Sequence, residues 1–172
     1  MPDQSVTFQP GDELRVDRGL YGHHGMCVGN DWVVQFGGRI KDKPHASIHR
    51  VPLAEFAKAG QPKVVEHEEL DRAQAVRRTL WLLENPPPMQ YHVFGYNCEH
   101  VARWCATGRI ECSQARGAFT LNLLSGGSLL LLEHPVGWML GLLQLIAGLF
   151  LAWLSRAPTR RFERHIRDNF PG

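Results

Sequence analysis

The sequence predicts an α+β domain, an antiparallel sheet packed on helices, followed by a C-terminal hydrophobic membrane segment. Short runs rich in valine and aromatics alternate with glycine, asparagine and aspartate turns in the first third of the chain. Two later stretches, Asp71 to Glu84 and Asn97 to Gly108, carry helical spacing between stop signals. After Cys112 the composition changes, and Val136 to Leu154 runs without a charge. That run is long enough to cross a bilayer core.

At 172 residues the chain has room for one domain of typical size and an appendage. We divide it into a polar lead-in (1–10), a folded domain (11–117), a hydrophobic membrane hairpin or anchor (118–155) and a basic C-terminal tail (156–172). A net charge of +2 and a pI near 8.4 are too mild to argue for nucleic acid. The four cysteines show no paired metal spacing, and the first residues lack the basic and apolar regions of a signal peptide. The expectation is a reducing compartment with free thiols and no metal or cofactor.

In chain order, the turn at Pro10-Gly11 feeds a strand from Glu13 to Val16. Tyr21 to Phe36 reads as a hairpin around Gly29-Asn30-Asp31, with Val28 expected opposite Trp32 and Gln35 opposite Gly25. Alternation then puts His23, Gly25, Cys27 and Gln35 on one face. Gly37 to Ser47 is too polar for core and is expected as a loop near the site mouth, placed to gate access. Ile48 to Leu53 is expected as a strand, Ala54 to Ala59 as a short helix and Pro62 to Glu66 as a strand. The run Glu66-His67-Glu68-Glu69 reads as solvated surface. In the helix from Asp71 to Glu84, Ala75, Leu80 and Leu83 form the apolar side and Arg72, Arg77 and Arg78 the wet one, before Asn85-Pro86-Pro87-Pro88 stops it. Met89 to Gly95 is a connector.

The connector delivers the chain to Asn97-Cys98-Glu99-His100. Asn97 is a good N-cap, which leaves Cys98 in the first turn, where unpaired amides and the helix dipole favour an anion. Val101, Trp104 and Cys105 line one apolar side, and Gly108 stands where a glycine stop belongs. This placement predicts a thiol titrating below its ordinary value of about 8.5. A small buried thiol that merely packs is the commoner fate of a cysteine, and the stretch alone leaves both readings open. Upstream, His23 with the Gln35 amide beside it supplies a base and an orienting partner, the groups that nucleophilic catalysis by Cys98 requires. His100, two residues along the helix, points elsewhere and is expected to make a structural hydrogen bond.

Gly11-Asp12 ahead of a strand, the Tyr-x-His-x-Gly-x-x-Val-Gly-Asn hairpin, and Asn97-Cys98-Glu99-His100 followed by Ala102-Arg103 and Gly108 resemble the lecithin:retinol acyltransferase family over roughly residues 10 to 115. The resemblance implies a permuted papain-like domain, with the histidine strand before the cysteine helix. It also implies thiol-dependent acyl transfer or phospholipase chemistry on glycerophospholipids. Cys98 matches the family's nucleophile and His23 its general base. Gln35 falls where many members carry a second histidine: an amide orients an imidazole but does not titrate. His24 sits at a position usually taken by an aromatic packing residue and receives no catalytic role.

The resemblance implies an acyl-Cys98 thioester, an oxyanion held by amides at the start of the Cys98 helix, and a phospholipid and a membrane as partners. A cysteine peptidase or amidase, which would not need the apolar tail, and a catalytically silent membrane adaptor remain as alternatives. Trp138 and Trp153 near the ends of the apolar run and the arginines after it suit a membrane segment. With Phe119 to Leu132 as a first arm, divided at Gly126-Gly127, and Glu133-His134-Pro135 as the turn, a hairpin leaves the folded domain and the arginines cytoplasmic. Deleting residues 119–172 is expected to release a soluble domain.

Overall fold

The chain enters the fold through Gly11, whose φ of +95° suits a residue without Cβ and whose missing side chain leaves room for the Arg72 backbone. Beside it the buried Asp12 carboxylate accepts from Arg72 Nη2 at 2.9 Å and from the Gln9 amide at 2.8 Å, fastening the sheet to the helix that begins at Arg72. The computed structural model describes residues 7–19, 21–37, 46–68, 70–132 and 134–172.

The described residues form a mixed α/β structure whose sheet is antiparallel throughout. Strands β1 (Glu13–Asp17), β2 (Gly22–Gly29), β3 (Trp32–Gly37), β4 (Ser47–Pro52) and β5 (Lys63–Val65) stand in the order β4-β3-β2-β1-β5. The hairpin register holds as expected at Gly25–Gln35, but Gly29 rather than Val28 faces Trp32. Asn30 and Asp31 both adopt positive φ (50° and 57°), so the turn has two residues and Val28 is left as a bulge. Of the loop expected between Gly37 and Ser47, residues 38–45 lie outside the described residues.

Helix α1 (Leu53–Phe56) runs into a 3₁₀ turn, Ala57–Ala59. Helix α2 (Arg72–Glu84) is capped by the Asp71 carboxylate, which accepts from the Gln74 amide at 3.0 Å. Its fully buried side is Ala75, Thr79 and Leu82; of the other residues expected there, Leu83 packs partly buried against the core and Leu80 is exposed. Thr79 suits the interior because its hydroxyl donates to the Ala75 carbonyl at 2.7 Å. Helix α3 (Cys98–Thr107) packs on one face of the sheet with Met26, Val34 and Phe36; Leu14, Val16, Cys27, Val33, Val51 and Phe56 fill the other.

Two further helices form a hairpin. Helix α4 (Ser113–Leu130) passes through Gly126-Gly127 without a break, and α5 (Pro135–Asn169) begins at a His134 cap with proline in its first turn. At 18 residues α4 rises about 27 Å. A Cβ on Gly141 would stand 2.8 Å from the Gly126 carbonyl, so the glycines permit close helix approach. The outward faces are apolar: Leu121, Leu124, Leu131, Met139, Leu143, Leu149 and Trp153 are all more than half exposed. By length and composition α5 can cross a membrane.

The segment 156–172, expected as a basic tail, continues α5 and docks on the domain. Phe162 is fully buried against Tyr96 and Trp104, and Phe170 packs edge-on against Trp81 and Trp104. His165 Nε2 donates to the Asn85 carbonyl at 2.9 Å, and Thr159 Oγ1 to that of Gly95 at 2.9 Å. The arginines of this segment face outward while its aromatics complete the core. Removing residues 119–172 therefore opens an aromatic cluster instead of freeing a finished domain.

Candidate active site

Asn97 builds the start of α3. Its Oδ1 accepts from the amides of Glu99 (3.0 Å) and His100 (3.1 Å) and from His100 Nδ1 (2.9 Å), while its Nδ2 donates to the Val93 carbonyl at 2.5 Å. Gly108 closes the helix with a φ of +75°. The expected cap, stop and structural role of His100 are all present. Since Asn97 takes two first-turn amides, the Cys98 N–H is the one there without a partner among the described residues.

Cys98 is 3% exposed. Its sulfur faces the end of β2–β3 pairing: the ladder stops at Gly25–Gln35, and the His24 amide lies next along β2. Burial pushes the thiol up from its ordinary value, while the amides of His24 and Glu99 and the Tyr91 hydroxyl, 4.0 Å from Sγ, favour the thiolate. Burial wins. The expected lowering is thus reversed, because a helix terminus acts on a thiol that the fold has removed from water. Tyr91, expected only as part of a connector, is held protonated: burial and the neighbouring sulfur both raise its pKa.

His23 lies on the sheet face opposite α3, its ring 5.5 Å from that of Phe56. Among the described residues no hydrogen bond joins it to Cys98; the two converge on the same end of β2 through the neighbouring His24 backbone. Burial depresses His23 to about 4, against the hydrogen bond to Gln35, so the imidazole is neutral at neutral pH. Its Nε2 meets Gln35 Oε1 at 2.6 Å, as the shared face predicts.

Beyond Gln35 stands His49, which the sequence reading placed in a strand without a role. Gln35 Nε2 is 3.0 Å from His49 Nε2, and His49 Nδ1 is 2.9 Å from the Ser47 carbonyl. A carbonyl only accepts, so His49 Nδ1 carries the hydrogen and its Nε2 accepts from the Gln35 amide. Gln35 Oε1 then faces His23 and accepts from Nε2–H. The lone pair of His23 is left on Nδ1. The signal for His49 was register: with Gln35 opposite it in β4, alternation brings both to one face.

His24 has a different task from aromatic packing. Its Nδ1 donates to the fully buried Glu13 carboxylate at 2.6 Å; His67 Nε2 donates to the other oxygen at 2.8 Å and Arg103 Nε stands 3.5 Å away. Burial opposes ionisation of Glu13, but these partners outweigh it and hold its pKa below the usual carboxylate range. His67 thus leaves the run expected to be solvated; Glu69 lies outside the described residues. Glu99, also fully buried, accepts from Cys112 Sγ (3.0 Å), the Ser113 amide (2.7 Å) and Ser113 Oγ (2.6 Å), which ties α3 to the start of α4.

A pocket of about 140 Å³ reaches Cys98, walled by Tyr21, Gly22, Tyr91, Val93, Phe94 and Asn97. No curated protein matches the sequence. The family model for lecithin retinol acyltransferase matches residues 6–111, which carry the sheet, α3, Cys98, His23, Gln35 and His49. The chain belongs to the lecithin retinol acyltransferase family.

Proposed function

We propose that this protein is a membrane-bound thiol acyltransferase or phospholipase A-type hydrolase acting on glycerophospholipid esters, in a permuted papain-like domain. The observation that carries the reading is the directed chain Ser47–His49–Gln35–His23, which fixes a neutral base beside the strand end that Cys98 faces. Here Cys98 is the nucleophile, His23 the base and Gln35 its orienting partner. His49 is a positioning residue acting through Gln35.

The resting pair is a neutral thiol and a neutral imidazole, so deprotonation accompanies attack. His23 Nδ1 accepts the Cys98 proton as Sγ bonds to the ester carbonyl carbon. The carbon–oxygen bond to the glycerol then breaks, and the lysophospholipid leaves with the proton held by His23. A thioester remains on Cys98, which water or another acceptor cleaves with His23 again accepting a proton. The Cys98 N–H and the Tyr91 hydroxyl are the donors placed for the oxyanion. Of the first-turn amides expected for it, Asn97 occupies two, so the Cys98 N–H alone serves and the Tyr91 hydroxyl joins it. Losing one such donor costs about 3 to 4 kcal/mol of barrier.

The exposed apolar faces of α4 and α5 support a hairpin lying in a bilayer; in this reading the folded domain and the arginines of α5 share one side, which the positive-inside tendency assigns to the cytoplasm. Intact mass measurement after mixing the protein with phosphatidylcholine tests the chemistry: a fatty-acyl increment on Cys98 is expected. Turnover of peptide or amide substrates without that adduct favours a cysteine peptidase. Absence of any adduct or turnover favours the adaptor reading.

A further inference from the structure

The pocket at Cys98 does not end at its own walls. Phe94 and Ala115, which line it or border it, also line a second cavity of about 270 Å³ between α4 and α5. There Phe119 comes from α4, and Gly148, Leu151 and Ala152 from α5. Small residues leave the space open, since Ala115, Ala118 and Ala152 carry no more than a methyl group, and at its wall the Asn122 side chain packs directly on Gly148. Phe119 and Leu151 at its lips are 39% and 42% exposed, so the cavity opens on the apolar outer surface of the hairpin. The lining is chiefly apolar, unlike the polar surroundings of Glu13 and Glu99.

We infer that this cavity is the acyl-chain site: a fatty acyl chain lies between α4 and α5 with its carbonyl end passing Phe94 and Ala115 to Cys98. The inference rests on the proposed acyl transfer and adds where the substrate is held and how it arrives. A chain long enough to occupy both cavities removes more apolar surface from water than a short one, and each further methylene buried adds to the preference. The opening toward the hairpin surface lets the chain enter sideways from the bilayer without crossing water. Selection then acts on chain length, through the depth of the cavity, while the pocket at Cys98 handles the ester.

The test uses the full-length protein in lipid nanodiscs. Phosphatidylcholine with a diazirine in mid-chain is photolysed with the Cys98→Ser variant. Crosslinks to residues 115–122 and 148–155 on their facing sides are expected, and crosslinks confined to outward residues such as Leu142 and Leu149 overturn the site. Separately, thioester formation is compared for sixteen-carbon and four-carbon phosphatidylcholines, chain lengths chosen roughly to fill or to miss the cavity. Ala152→Trp, which fills it, is expected to lower the long-to-short rate ratio about ten-fold or more. An unchanged ratio in a variant with wild-type melting overturns the site while leaving the chemistry intact. A wild-type protein that forms no thioester with either lipid overturns the chemistry first and this assignment with it.

Discussion

Gln35 and His49 are joined by an amide hydrogen bond of 3.0 Å whose direction is set from outside, because His49 spends its only hydrogen on the Ser47 carbonyl. The amide cannot rotate without placing two acceptors, or two donors, against one another. A residue without an ionisable group therefore holds His23 in a single tautomer.

His49→Ala is expected to slow thioester formation about 3- to 10-fold, the worth of one neutral hydrogen bond, and to leave lipid affinity unchanged. Gln35→Ala should cost as much or more. Gln35→His should preserve the rate or raise it, since an imidazole can accept from His23 and donate to His49 in the same sense. Single-turnover rates on phosphatidylcholine check all three, and total loss in Gln35→His would show that the amide does something an imidazole cannot.

Cys98→Ser and His23→Ala should each remove activity by about a thousand-fold or more, and together little more than either alone, because nucleophile and base act as a unit. Two small, additive losses measured in a double-mutant cycle would move the chemistry elsewhere.

The pH dependence follows from burial. With its thiol raised, Cys98 should alkylate more slowly at neutral pH than in the denatured chain, with a rate that climbs into the alkaline range. His23 contributes to stability with a definite sign. Between about 6.5 and about 4 the unfolded chain binds a proton at this histidine and the folded chain does not, so stability falls as pH drops through that window. The loss approaches about 3 kcal/mol, and melting curves for His23→Gln should be flatter over the same range.

Phe162→Ala should destabilise the protein by about 3 to 5 kcal/mol, since a fully buried ring is lost from between Tyr96 and Trp104. Arg160→Ala, on the outward side of the same helix, should stay within about 0.5 kcal/mol. Denaturant midpoints in detergent distinguish a docked helix from a loose tail, for which both changes would be silent.

The cap at Asn97, the stop at Gly108 and the pairing of Gly25 with Gln35 were legible because each is set by neighbours a few residues away. Local rules did not reach the thiol's titration, which depends on how completely the rest of the chain covers Cys98. They missed Leu82 and Thr79, because a threonine bonded to its own helix counts as apolar only once folded. The docking of α5 did leave a trace: Phe162, Ile166 and Phe170 recur every four residues among the arginines. The run of charge drew attention away from the stripe beneath it.

Helix α5 is one continuous rod that carries the exposed Trp138 near its start and runs to Asn169, and Gly95, two residues before the Asn97 cap, lies against its Ser155 and Pro158. With the hairpin embedded as proposed, a thinner or thicker membrane that tilts the rod must turn the whole domain with it, unless Pro158, whose ring removes one rung of the helix ladder, absorbs the angle. The height and heading of Cys98 above the headgroups are then properties of the bilayer as much as of the protein. The same polypeptide would then work at different speeds in bilayers that differ in thickness by only a few ångströms.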